Sequence, residues 1–501
     1  MRRVHLILIA LTFAIAAQPP IVRGQQPAPA ASSPASSDTG PDNPSELYQL
    51  KHSCSDLKGL IDCGQELFTG QPVHIAIGSI APQNGFGVGL AYVGHKTTEN
   101  WRITWDSDAV ASENGSWRAG VYLKLVNTHE KAPTIEFGTK GRNLKPNLSA
   151  LPERPVINLY AQTITLNKLT YFGLGPNTTE AARSFYGMRE TVVGMSAVKP
   201  FAARLSAALF GEVNGRFVDI RPILGQPSPT IGALYTEATA PGLTSQPGTL
   251  QLGEGVRMRP VLANDLIHLD YNLTYQQYVA PGSSFSFQRL TTDLNHQFSI
   301  YRKTTRYLVP RDTNGPDECS VDQDSENAEC SVDKFAQHHE CLTAAGAKSP
   351  DCKELSRDLQ GSVGVRVFSA LSMTPSGDLV PFYFQPTLGG SDINGNQSLS
   401  SYQDFRFRAP NVFFIRENFE HSIGSLPLGF AFFVDEGKVA LTRDGLGSSP
   451  WIHSFSAGLT LRAGGFPQVY LLFSWGGNEG THTIANVNNS LLGGSSRPSL
   501  F

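Results

Sequence analysis

Long apolar runs are scarce in this 501-residue chain; the only one lies at the N-terminus, between Leu6 and Ala17. It is too short to cross a bilayer as a helix, so no transmembrane helix is expected. Charge is also scarce. Asp, Glu, Lys and Arg make up 17% of the residues, below the roughly 25% of soluble globular domains. The 40 basic and 43 acidic residues leave a formal charge of −3, without the basic footprint of a nucleic-acid binder. There is no G-x-S-x-G elbow, H-E-x-x-H helix or P-loop. No catalysis, cofactor or metal is expected. What remains is glycine (48 residues), aromatics (10%) and serine, a composition that suits an all-β chain.

The N-terminal residues read as an export signal over 1–24, with Arg2-Arg3 before the apolar stretch and small residues at Ala14-Ile15-Ala16. Residues 25–45, rich in Pro, Ala and Ser, cannot bury a core and read as a disordered tether. A short helical segment is expected over 46–72. Six cysteines (Cys54, Cys63, Cys319, Cys330, Cys341, Cys352) in an exported chain favour disulfides, although spacing alone leaves all 15 pairings open.

Period-two alternation dominates from about Gly85. Trp117, Ala119, Val121, Leu123 and Leu125 share one face, with Arg118, Gly120, Tyr122 and Lys124 on the other. Leu269 to Tyr275, Val363 to Val367, Phe455 to Leu461 and Val469 to Trp475 repeat the pattern. Segments of about nine to thirteen residues suit a tilted membrane-crossing strand. The polar faces carry Arg, Lys, Asp, His and Asn, which a packed sandwich core would not accept unpaired but a watery lumen would. About 14 to 16 such segments fit between Gly85 and Asn488, enough for one closed barrel over 73–490, with a tail at 491–501.

The alternation lapses over 303–360, read as an insert. Residues 311–360 hold twelve acidic and five basic side chains and the last four cysteines. Asp322, Asp324 and Glu326 resemble half a calcium loop, but Gly at the sixth position and Glu at the twelfth are missing, so a solvated acidic face is the better reading. His338, His339 and Cys341 could hold a metal; a disulfide-bonded Cys341 beside two surface histidines fits an oxidising compartment better.

Leu379 to Gly437 resembles the C-terminal barrel of the Omp85 superfamily, the bacterial surface antigen (D15) domain. The resemblance rests on Pro381-Phe382-Tyr383, Gly389-Gly390, Leu399, Tyr402, Arg406-Phe407-Arg408, Asp435 and Gly437, with Tyr171-to-Pro176 and Ser286-to-Arg289 as further family text. It implies a sixteen-stranded barrel in the outer membrane of a Gram-negative-type bacterium. It also implies an extracellular loop folded back into the lumen and a role in moving polypeptide or lipid. A passive pore and a structural surface antigen are the alternatives. The loop and lumen residues expected to matter are Gly389, Gly390, Leu399, Ser400, Ser401, Tyr402, Asp404, Arg406, Arg408, Asp435 and Gly437.

Two departures stand out. Ser400 replaces the family's loop-tip Arg, and Asn418-Phe419-Glu420 stands where an Arg would follow on the next strand. Asp435 is therefore expected to lack its usual cation unless Arg406 or Arg408 supplies one, and the loop to be held less tightly or by other partners. The stretch before the first strand is too short for a POTRA module, which implies a barrel-only member. The insert lies one strand away from the folded-back loop and so is expected on the periplasmic side, where it could meet a protein partner. Outer-membrane lipid is the other expected partner, and the barrel is expected to be monomeric.

Overall fold

The alternating segments fold as strands of one antiparallel sheet in the computed structural model, which describes residues 73–128, 154–202, 205–223, 229–263, 266–307, 353–424, 426–463, 466–477, 479–487 and 498–499. The export signal, the tether, the helical segment, all six cysteines and the acidic part of the insert lie outside the described residues.

Numbered in chain order, the sheet contains β1 (Val73–Ser79), β2 (Phe86–Thr97), β3 (Trp101–Ser112), β4 (Trp117–Asn127), β5 (Val156–Tyr171), β6 (Ser184–Ala202), β7 (Ala207–Arg221) and β8 (Thr249–Met258). It continues with β9 (Val261–Leu262), β10 (Ile267–Val279), β11 (Phe287–Tyr307) and β12 (Lys353–Met373). Four two-residue strands follow inside one long loop: β13 (Thr387–Leu388), β14 (Gly390–Ser391), β15 (Gln397–Ser398) and β16 (Phe407–Arg408). The sheet ends with β17 (Asn411–Ser422), β18 (Leu428–Ala440), β19 (Ile452–Ala463), β20 (Phe466–Gly477) and β21 (Gly480–Val487). The main sheet has 17 strands. β9 prolongs β8 along the same edge of β10, past Pro260, whose missing N–H interrupts the ladder. Apart from β8 and β9, which both pair with β10, each strand pairs with its sequence neighbour in the sheet, and among the described residues β1 and β21 are not paired with each other.

The sheet nevertheless curls. Laid flat, its strands at about 4.8 Å spacing would extend roughly 75 Å. Yet the 374–410 loop between β12 and β17 reaches many of them. It accepts a hydrogen bond from Thr170 on β5, stacks on Tyr278 of β10, and touches Ser454 of β19 and Glu479 before β21. Only a sheet wrapped round the loop allows these contacts together.

Its two faces have the burial of a globular protein turned inside out. The outer face exposes Phe86, Val88, Leu90 and Tyr92 on β2, and Phe430, Phe432, Leu459, Leu461, Leu471 and Phe473 across β18 to β20. The inner face buries Asp108, Arg118, Gln162, Glu190, Arg216, Gln251, Arg289, Glu420, Asp435, Ser456 and Arg462. Buried charge is costly unless paired, and much of it is paired: Arg118–Asp108 at 2.6 Å and Arg216–Glu190 at 2.7 Å, with the half-buried Arg366 and Asp293 paired at 2.8 Å. Apolar out and polar in, alternating along each strand, is the solution a barrel adopts in lipid. No helix among the described residues is long and apolar enough to cross a membrane.

One sequence expectation changes. The insert does not begin at 303 and end at 360, because β11 and β12 stay paired as far as Tyr307 and Lys353. A register shift at Ile300/Tyr301 changes the phase of the alternation there, and the stretch beyond it is polar on both faces. The insert proper is therefore 308–352, at the end of β12 opposite the 374–410 loop.

Candidate functional site: the inward loop

The 374–410 loop is built around an aromatic knot. Pro381 opens a short 3₁₀ turn, Phe382–Phe384, whose three rings are all buried. Phe382 meets Tyr171 and Tyr186 edge-on, each at 5.2 Å, and Phe384 lies 5.4 Å from Tyr278, which stacks on Phe287 at 4.2 Å. Each fully buried ring contributes about 1.5–3 kcal/mol of apolar burial. Arg289, on β11, donates from Nη2 to the Phe384 carbonyl at 2.5 Å.

From this knot the chain turns back through Gly389 (φ 100°) and Gly390 (φ 57°), conformations that suit glycine. A side chain at Gly390 would also run into the Asp404 backbone at 2.6–2.7 Å. Asp404 holds this turn, its Oδ1 accepting from Ser391 N at 2.8 Å. Asp404 sits in the loop, where burial pushes its carboxyl above the usual range despite the Ser391 and Gln83 donors.

The loop tip, Leu399 to Tyr402, lies against the inner wall. Leu399 is fully buried at φ 44°. Gly437 makes room for it, since a Cβ there would lie 2.8 Å from Leu388 Cδ1 and 3.2 Å from Leu399 Cδ1. Tyr402 packs over the backbone of Gly477 at the end of β20. The backbone N–H of Ser400 donates to Asp435 Oδ2 at 3.4 Å, and that of Ser401 to Ser454 Oγ at 2.8 Å.

The expectation that Asp435 lacks a cation unless Arg406 or Arg408 supplies it is corrected here. Its cation is Arg416, directly opposite on β17, which donates from Nε to Oδ1 at 2.7 Å and from Nη2 to Oδ2 at 2.8 Å. The paired fork is the strong form of the Arg–carboxylate contact. Arg406 and Arg408 work elsewhere. Arg406 forms an ion pair with Glu479 in the β20–β21 turn and donates to Thr178 Oγ1 and O, both at 2.6 Å, in the loop after β5. Arg408 donates from Nη1 to the Phe382 carbonyl at 2.6 Å and from Nη2 to Tyr186 OH at 3.5 Å. Through these contacts both arginines tie the loop to its surroundings.

The structure thus brings all eleven expected loop and lumen residues into one assembly. It adds Arg416, Ser454, Thr178 and Glu479, which sequence reasoning missed. Arg416 shares the inward parity of Asn418 and Glu420 on β17, a signal that marks its face but not its partner. Ser400→Arg is expected to lower, not raise, the temperature at which the heat-modifiable band unfolds. The new guanidinium would enter a buried site whose carboxylate already holds a cation. Unchanged or higher stability would show that the tip does not sit on this pair.

No family model matches the chain, and no curated protein matches it. Solved structures do resemble it in fold. CdiB from Acinetobacter baumannii aligns at 11% identity and a TM-score of 0.38, over 81% of this chain and 56% of its own. BamA from Haemophilus ducreyi lacking POTRA domains 1–3 aligns at 10% identity and 0.42, over 83% and 68%. CdiB from Escherichia coli aligns at 11% and 0.43, over 81% and 59%. The chain therefore spans little more than half the length of the CdiB chains.

Proposed function

We propose that the chain is an outer-membrane β-barrel of the Omp85/D15 type that helps move polypeptide or lipid into or across the outer membrane. The observation that carries this reading is the inward loop. It is braced on the inner wall at Asp435–Arg416 and at the rim by Arg406, inside a sheet whose outer face is apolar. The belt from β18 to β20 is matched to outer-membrane lipid. A filled inner face weighs against a wide passive pore. The insert is bounded by Tyr307 and Lys353, at the end of β12 away from the 374–410 loop, which supports a periplasmic placement where it would take a protein partner, with the barrel acting as a monomer.

The test compares the outer-membrane proteome and lipid asymmetry of cells with and without the gene. Selective depletion of other barrels, exported proteins or outer-leaflet lipid is the expected result. An unchanged envelope sinks the transport reading and leaves the pore and the surface antigen, which single-channel conductance separates.

A further inference from the structure

The mechanism of the loop leaves unused the most deeply buried charge of the sheet, on the wall formed by β5 to β8. Arg216, fully buried on the inner face of β7, stands at its centre. Its Nη1 donates to Glu190 Oε1 at 2.7 Å, and its Nε to Gln251 Oε1 at 2.5 Å and Asn214 Oδ1 at 3.1 Å. Asn214 and Tyr160 in turn donate to Glu212 Oε1 at 2.8 and 2.6 Å. The remaining nitrogen, Nη2, donates at 3.0 Å to the backbone carbonyl of Ser499. That residue follows β21, at the far edge of the sheet, nine strand positions from β7.

Two observations show a site rather than a chance touch. Glu190 Oε2 and Gln251 Nε2 are buried beside the contact and have no hydrogen-bond partner among the described residues. They offer one acceptor and one donor, the complement of a backbone N–H and C=O. The geometry also closes. Twelve residues separate Val487 from Ser499, a reach of about 40 Å, against roughly 25–30 Å across a curled sheet of this many strands. A carbonyl held by a guanidinium inside a low-dielectric wall is a charge-assisted hydrogen bond, among the stronger kinds.

We infer that the inner face of β5–β8 is a docking site for an extended polypeptide backbone, and that the chain's own segment at Pro498–Ser499 occupies it. Pro498 and Ser499 then lie on the inner face, within the lumen. Any other extended chain passing along this wall competes with it for Arg216. The inference needs a lumen but not the transport role, so either can fail alone.

The experiment measures the conductance of the purified full chain in planar bilayers against a variant lacking residues 491–501. A severalfold rise is expected, reversed by adding the 491–501 peptide in excess. Unchanged conductance of a truncated barrel that still shows the folded, heat-modifiable band overturns the inference. If the truncated chain does not fold, the full chain decides. A photo-crosslinking residue in place of Ser499 should link to peptides from β6, β7 or β8, and links only to lipid, to other strands or to none overturn it.

Discussion

Asp435→Ala should cost the barrel about 3–5 kcal/mol, the penalty for leaving one partner of a buried ion pair alone. Asp435 has no exposed surface and is gripped by both donors of the Arg416 fork. Without it, Arg416 keeps only the ring faces of Phe414 and Phe433, 5.6 and 5.4 Å away. Such faces return about 1–2 kcal/mol when desolvated. The Ser400 N–H loses its acceptor in the same step, so the loop tip loosens with the wall. The heat-modifiable band should unfold at a clearly lower temperature. Asp435→Asn, which keeps an acceptor but loses the charge, should fall between. Removing both partners, Asp435→Ala with Arg416→Met, should cost less than Asp435→Ala alone, because no bare charge remains. Equal stability of Asp435→Ala and the parent would mean that the pair does not brace the wall.

Leu459→Arg should cost about 2–4 kcal/mol in a bilayer, the price of a charge on the lipid face near the midplane. Leu459 is 52% exposed and pairs with Phe430 on β18 and Leu471 on β20, both also outward. In an ordinary water-soluble sheet, a substitution at so exposed a position changes stability by only about 0.5 kcal/mol. The two expectations are far enough apart for folding titrations into lipid vesicles to separate them. The same change at Leu428, the first residue of β18, should cost less, because there an arginine can reach the interface.

The strands were largely legible because lipid and lumen impose opposite demands on alternate residues. Phe455, Ala457, Leu459 and Leu461 announce their face without any knowledge of their neighbours. The ends of β11 and β12 were not legible for the same reason. Over Arg302 to Tyr307 and Lys353 to Asp358 the chain is polar on both parities, so pairing continues where the signal has stopped. The aromatic and glycine loop residues could be placed by their resemblance to family text, since Gly389, Gly390 and Gly437 answer steric needs that tolerate little change. Ion-pair partners could not. An inward Arg at 406, 408 or 416 looks the same in sequence, and only the register of β17 against β18 sets Arg416 opposite Asp435. The Ser499 contact had no signal at all, because its donor lies 283 residues away and its acceptor is backbone.

The central claim is that the sheet wears its apolar face outward, in lipid, and its charges inward. Spin labels placed one at a time at Gly458, Leu459, Thr460 and Leu461 of the bilayer-embedded chain test it most directly, through their relaxation by oxygen and by a water-soluble nickel chelate. Labels at 459 and 461 should collide far more with oxygen, and those at 458 and 460 should not, giving a period of two. Chelate access at 459 and 461 equal to that at 458 and 460, or a reversed alternation, would contradict the claim.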